Sequence, residues 1–182
     1  SLLIYAMKTI TYQSDYLGNR FEFATINQPD DYEGKVVATV IRKQCSMPSN
    51  KAVLYVHGFN DYFFQSDMAH RFNEKGFHFY AVDLRKYGRS TLPHHKSNNM
   101  RSLTEYFADL DEALDIVRQE GNEQVLLSGH STGGLLVTLY ASERVGNEKF
   151  DTIFCNSPFY DMNMPGYQKR LLVPLVALFG KY

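Results

Sequence analysis

Hydrophobic and polar positions along the chain change rhythm near residue 51. Before it, the pattern has period two. Residues 20–26 (RFEFATI) alternate and predict a strand with Phe21, Phe23 and Thr25 on one face. The cluster 29–34 (PDDYEG) reads as a turn, and residues 35–43 (KVVATVIRK) as a second, antiparallel strand. After it, short apolar runs alternate with helical periodicity. Residues 52–56 (AVLYV) predict a strand buried on both faces, 62–75 a helix closed by Gly76, and 78–84 (HFYAVDL) a strand. Residues 102–120 predict the clearest helix. Ser102 and Glu105 can form a capping box, and Leu103, Phe107, Leu110, Leu114 and Val117 fall on one face. Residues 124–128 (QVLLS) predict a strand, 133–145 a helix and 152–156 (TIFCN) a strand. Strand and helix in alternation predict an α/β fold: a mostly parallel sheet, helices on both faces, antiparallel strands at the N-terminal end.

Composition excludes several classes. Nineteen basic and twenty acidic residues give a net charge of −1, which offers no basic face to nucleic acid and no pull toward an anionic membrane. The longest apolar stretch, 171–179, has nine residues with Pro174 inside it, whereas a membrane-spanning helix needs about 20. Stable membrane insertion is therefore not expected. Cys45 and Cys155 form neither a disulfide framework nor a metal site, and the expectation is two free thiols in a reducing cytoplasm. No cofactor and no metal is implied.

The chemistry concentrates in three segments. Gly129-His130-Ser131-Thr132-Gly133, followed by Gly134, matches G-x-S-x-G directly after a buried strand and at the start of a helix. That context predicts a nucleophile elbow: a strained turn lifts the Ser131 hydroxyl clear of the sheet, and the helix N-terminus supplies positive potential to a developing oxyanion. A phosphate loop would carry Lys-Ser/Thr, absent here. The second segment, His57-Gly58-Phe59-Asn60-Asp61, follows the strand 52–56 and can aim a backbone N–H at the same point. The candidate oxyanion donors are the N–H groups of Phe59 and Thr132. His57, Gly58, Asn60 and His130 are the candidate substrate contacts around them. The third segment is residues 83–90 (DLRKYGRS).

Taken together, HGFND, DLRKYGRS, GHSTGG and TIFCNSPF resemble, in order and spacing, the α/β-hydrolases of the monoacylglycerol lipase, lysophospholipase and serine aminopeptidase branch. The resemblance runs from about residue 20 to 159. The branch usually reads D-x-R-G-x-G-x-S; here Lys86 stands in place of the glycine and Tyr87 at the variable position after it. The resemblance implies a serine hydrolase that cleaves carboxylic esters, sometimes amides, through an acyl-enzyme on Ser131, with an ester of an apolar acyl group, lipid esters included, as the expected substrate. The resemblance also divides the chain into a hydrolase core, 1–158, and the start of a cap, 159–182, with a helix over 168–179.

The resembled order is Ser, then Asp or Glu, then His, yet the histidines are at 57, 70, 78, 94, 95 and 130, all before Ser131. The chain thus reads as the N-terminal portion of such an enzyme, with nucleophile and oxyanion hole but without the acid and base that activate serine. A local substitute base from His57, His94 or His95 is one alternative. A non-catalytic binding module on the same fold is another. Without further strands, the edge 152–156 would be open to self-association.

Overall fold

The computed structural model describes residues 9–146 and 148–161. Seven strands form one sheet: β1 (Gln13–Ser14), β2 (Glu22–Asp31), β3 (Gly34–Lys43), β4 (Lys51–Val56), β5 (His78–Asp83), β6 (Gln124–His130) and β7 (Thr152–Asn156). Their spatial order is β1-β2-β3-β5-β4-β6-β7. β1 through β3 pair antiparallel with one another, and β3 pairs antiparallel with β5. β5, β4, β6 and β7 run parallel. This is the α/β architecture expected from the alternation of elements, and it fits the core that the resemblance implies.

Each face of the sheet carries its own core. On one face Val40, Leu54, Val56 and Tyr80 pack against α2 (Phe107–Gln119) and α3 (Thr132–Glu143). On the other, Phe21, Ile41, Val53 and Tyr55 pack against Phe63 and against Ala69 of α1 (Ser66–Glu74). β4 alternates between the two, so its continuous apolar run is buried on both sides. Helices cover both faces, as the sequence predicts.

Several boundaries move, each for a physical reason. The turn expected at 29–34 is shorter, because β2 runs on to Asp31 and only Tyr32 and Glu33 turn. Pro29 is tolerated because the β2–β3 register shifts between Gln28 and Asp31, where no ladder hydrogen bond from residue 29 is required. Thr25 is exposed rather than packed beside Phe21 and Phe23; on β2 the buried positions are Ala24, Ile26 and Gln28. The helix expected from 62 begins at Ser66, because the Phe63 N–H donates to Asp83 Oδ1 at 2.8 Å and the Phe63 ring enters the core. The helix expected over 102–120 opens with a 3-10 turn, Leu103–Tyr106, whose capping box between Ser102 and Glu105 is formed.

Among the described residues β1 and β7 are the two edge strands, and Ile153 and Phe154 on β7 are exposed. Cys45 and Cys155 are free thiols. Among the described residues no helix is long and apolar enough to cross a membrane. The cap helix expected over 168–179 lies outside the described residues.

Candidate active site

β6 runs straight into Ser131, and α3 begins at the next residue. Ser131 has φ 53° and ψ −122°, a conformation that costs a non-glycine residue about 1–3 kcal/mol and persists only where the surroundings impose it. Hydrogen bonds impose it here. The Ser131 N–H donates to the Asn156 carbonyl at 3.2 Å, and its own carbonyl accepts from Gly134 and Phe159, each at 3.0 Å.

The glycines around Ser131 are required by backbone proximity. A Cβ on Gly133 would lie 2.5 Å from the Val56 carbonyl oxygen and closer still to that of His57. One on Gly129 would overlap the Gly133 carbonyl, and one on Gly134 would meet Pro158 Cβ at 2.8 Å. The first turn of α3 therefore rests directly on the end of β4. That contact brings the loop after β4 against Ser131: a Cβ on Gly58 would stand 3.2 Å from Ser131 Cβ and 3.7 Å from its Oγ.

His57 organises that loop from inside. It is buried, and both ring nitrogens are engaged. Nε2 accepts the Leu84 N–H at 3.2 Å, so the proton resides on Nδ1, which donates to the Gly58 carbonyl at 2.7 Å. The Gly58 carbonyl and the Phe59 N–H belong to one planar peptide and point in opposite directions. By holding the oxygen, His57 sets the direction of the Phe59 amide. Burial pushes the His57 pKa down, against the hydrogen bond to Gly58 and the charges of Asp83 and Asp61, which push it up. A neutral ring with both nitrogens in use has no site left to take a proton from Ser131.

Asn60, at φ 53°, accepts a hydrogen bond from Asn98 Nδ2 at 3.1 Å. His130 directs Nδ1 to the Asn156 carbonyl at 3.2 Å. His94 and His95 both direct Nε2 to the Lys35 carbonyl at 2.9 Å, and His95 Nδ1 accepts the Leu92 N–H at 3.0 Å. The structure brings His57, Gly58, Phe59, Thr132 and Gly133 together around one apolar cavity of about 160 Å³. Its remaining walls are Leu84 and Tyr87 after β5, Met100, Leu103 and Tyr106 before α2, Leu135 and Leu136 of α3, and Phe159. Among the described residues no group of three His, Cys, Asp or Glu could hold a metal ion.

The segment 83–90 is scaffold rather than chemistry. Asp83 is fully buried and accepts from the Phe63 and Arg89 N–H groups at 2.8 and 3.0 Å and from Arg89 Nη1 at 2.9 Å. Arg89 also grips Asp15 at 2.7 and 3.0 Å, and Arg85 pairs with buried Asp109 at 2.7 Å. These bonds hold Leu84 and Tyr87 in the cavity wall. Sequence reasoning missed Tyr87 and Met100 as wall residues. Tyr87 occupies a variable position of the D-x-R-G-x-G-x-S pattern and Met100 lies outside every motif, so neither carries a local signal. It also missed the orienting role of His57.

The family described as serine aminopeptidase, S33, matches residues 47–181. The chain belongs to this hydrolase family. Membership covers all three chemistry-bearing segments and places the fold in the α/β-hydrolase superfamily. A search of curated proteins finds no sequence match of significance. Solved structures are similar in fold. A thermostable carboxyl esterase from Bacillus coagulans has 20% identity and a TM-score of 0.66, covering 87% of this chain and 51% of that one. A soluble variant of monoglyceride lipase from Saccharomyces cerevisiae has 16% identity and a TM-score of 0.63, covering 97% and 54%. The monoacylglycerol lipase of Paleococcus ferrophilus has 24% identity and a TM-score of 0.57, covering 78% and 51%. At these identities the likeness is one of fold, and the chain spans about half the length of each of these structures.

Proposed function

We propose that the chain carries the nucleophile and oxyanion site of a carboxylic ester hydrolase acting on a small-molecule ester with an apolar acyl group. Ser131 attacks the ester carbonyl, and the Phe59 and Thr132 N–H groups receive the oxyanion of the tetrahedral intermediate. The alcohol leaves, water hydrolyses the acyl-enzyme, and no cofactor enters the scheme. The observation that carries this reading is the strained φ of 53° at Ser131, at the N-terminus of α3 and beside an apolar cavity. The helix N-terminus adds positive potential where negative charge develops. The apolar lining of that cavity, which includes Leu84, Tyr87, Met100, Leu135 and Leu136, supports an apolar acyl group.

Activation of Ser131 is assigned to a carboxylate and an imidazole outside these 182 residues, because His57, His94 and His95 are engaged elsewhere. The same gap is what favours the rival reading, a binding module. A retired site, however, has no use for a strained serine. Turnover of p-nitrophenyl butyrate decides, measured on the 182-residue chain, on any longer form of the gene product, and on Ser131→Ala in each. Ser131-dependent turnover is expected in the form that carries a later acid and histidine, with the short chain within a few-fold of its Ser131→Ala variant. Fast Ser131-dependent turnover by the short chain, lost on replacing His94 or His95, would identify a local base. Absence of Ser131-dependent turnover in every form would overturn the hydrolase reading.

A further inference from the structure

Lys86 is a fully buried lysine at φ 65°, in left-handed backbone that favours glycine, at the position the D-x-R-G pattern fills with glycine. Its ammonium lies 2.6 Å from Asp31 Oδ2, 2.7 Å from Glu33 Oε2 and 4.2 Å from the centre of the Tyr32 ring. All three partners come from the tip of the β2–β3 hairpin. Desolvation pushes the Lys86 pKa down, but the two carboxylates and Tyr32 outweigh it and leave it raised. The ammonium therefore stays charged where it is buried.

The backbone of Lys86 extends this anchor toward the site. Its carbonyl accepts the Asn98 N–H at 3.1 Å, and Asn98 Nδ2 donates to Asn60 Oδ1 at 3.1 Å. The hairpin tip secures the Asn98 segment a second time, since Asn99 Nδ2 donates to Glu33 Oε1 at 3.0 Å and the Tyr32 hydroxyl to the Asn99 carbonyl at 3.2 Å. Lys86, Asn98 and Asn60 all hold positive φ, at 65°, 58° and 53°. Asparagine adopts this backbone readily, whereas lysine does not, so at Lys86 the conformation is held by tertiary contacts rather than by local preference. The chain ends at Asn60, the neighbour of Phe59. On the other side of Phe59, His57 fixes the Gly58 carbonyl.

We propose that Lys86 is a positioning residue: its buried ion pairs with Asp31 and Glu33 tie the hairpin tip to Asn98 and Asn60 and so hold the Phe59 amide in its oxyanion-binding orientation. This rests on the hydrolase reading for the use of that amide, but the clamp itself is testable without turnover. Two variants serve. Lys86→Gly relieves the backbone and removes the ammonium. Lys86→Gly combined with Asp31→Asn and Glu33→Gln also removes the carboxylates left behind. The readout is ¹⁵N relaxation of backbone amides. Order parameters at Phe59 and Asn60 are expected to fall from about 0.85 to below about 0.6 in both variants, with those of Leu54 and Leu127 unchanged. In a form of the protein with Ser131-dependent turnover, kcat is expected to fall about tenfold at a KM within twofold, because the amide acts on the transition state rather than on the bound ester. Unchanged order parameters at Phe59 and Asn60 would overturn the proposal. So would an equal loss at Leu54 and Leu127, which would mark Lys86 as a general stabiliser. If no form turns over ester, the hydrolase reading falls, and the relaxation result still decides the clamp.

Discussion

Two loops leave the same edge of the sheet and are held by opposite means. The turn after β6, at Ser131, is held by backbone against backbone: Gly129, Gly133 and Gly134 bring main-chain atoms closer than any Cβ allows. The loop after β5, residues 83–90, is held by buried charge: Asp83 with Arg89, Arg85 with Asp109, and Lys86 with Asp31 and Glu33. Steric contact is stiff and independent of pH, so it suits the atom that must sit in one place. Charge pairing reaches across longer gaps and gathers distant segments, so it suits the walls. The cost of each device differs accordingly: the first tolerates no added atom, the second no unpaired partner.

The comparison breaks most severely at Gly133. Gly133→Ala is expected to destabilise by more than about 4 kcal/mol or to prevent folding, since its Cβ meets the Val56 carbonyl oxygen at 2.5 Å with backbone on both sides. A chemical melt checks this, and a loss under about 1 kcal/mol would show that the α3–β4 contact can relax. On the charge side, Asp83→Ala is expected to cost about 3–5 kcal/mol, because Arg89 loses one of its two buried carboxylates and two N–H groups lose their acceptor. Urea denaturation measures it, and added salt is not expected to restore it, the pair being buried.

His57 sharpens the contrast through pH. Its pKa is lowered in the folded state, so the unfolded chain binds the extra proton first. Stability from this residue is complete above the unfolded value of about 6.5 and falls as pH drops below it, by at most about 1.4 kcal/mol per pH unit. His57→Asn is expected to flatten that part of the profile by comparison with wild type, and parallel profiles would contradict the buried neutral ring. The smallest effect is expected at Ser131. Ser131→Gly removes the left-handed penalty and is expected to raise stability by about 1 kcal/mol while abolishing Ser131-dependent turnover. A thermal melt that does not rise would place the strain elsewhere.

Much of this was legible in the order of residues. The helix face from Leu103 to Val117, the capping box at Ser102 and the doubly buried run of β4 follow from periodicity and local chemistry, because those preferences act within a few residues. The Ser131 turn was legible because glycines flanking a serine between strand and helix answer one steric requirement. The start of α1 was not, since Phe63 is drawn out of the helical pattern by Asp83, twenty residues away.

By itself, the sequence determined the α/β alternation, the place of Ser131 between strand and helix, and the segments that surround it. All of these depend on neighbours along the chain. The tertiary structure alone decided that His57 faces inward as the support of the Phe59 amide, that Tyr87 and Met100 line the cavity, and that Lys86 occupies a glycine-like backbone conformation. Each of those outcomes depends on a partner brought close by folding: the Leu84 N–H for His57, and Asp31 with Glu33 for Lys86. A pattern read along the chain carries no distance between residues fifty positions apart, and a buried charge or a strained φ is stable only where such a distance is short.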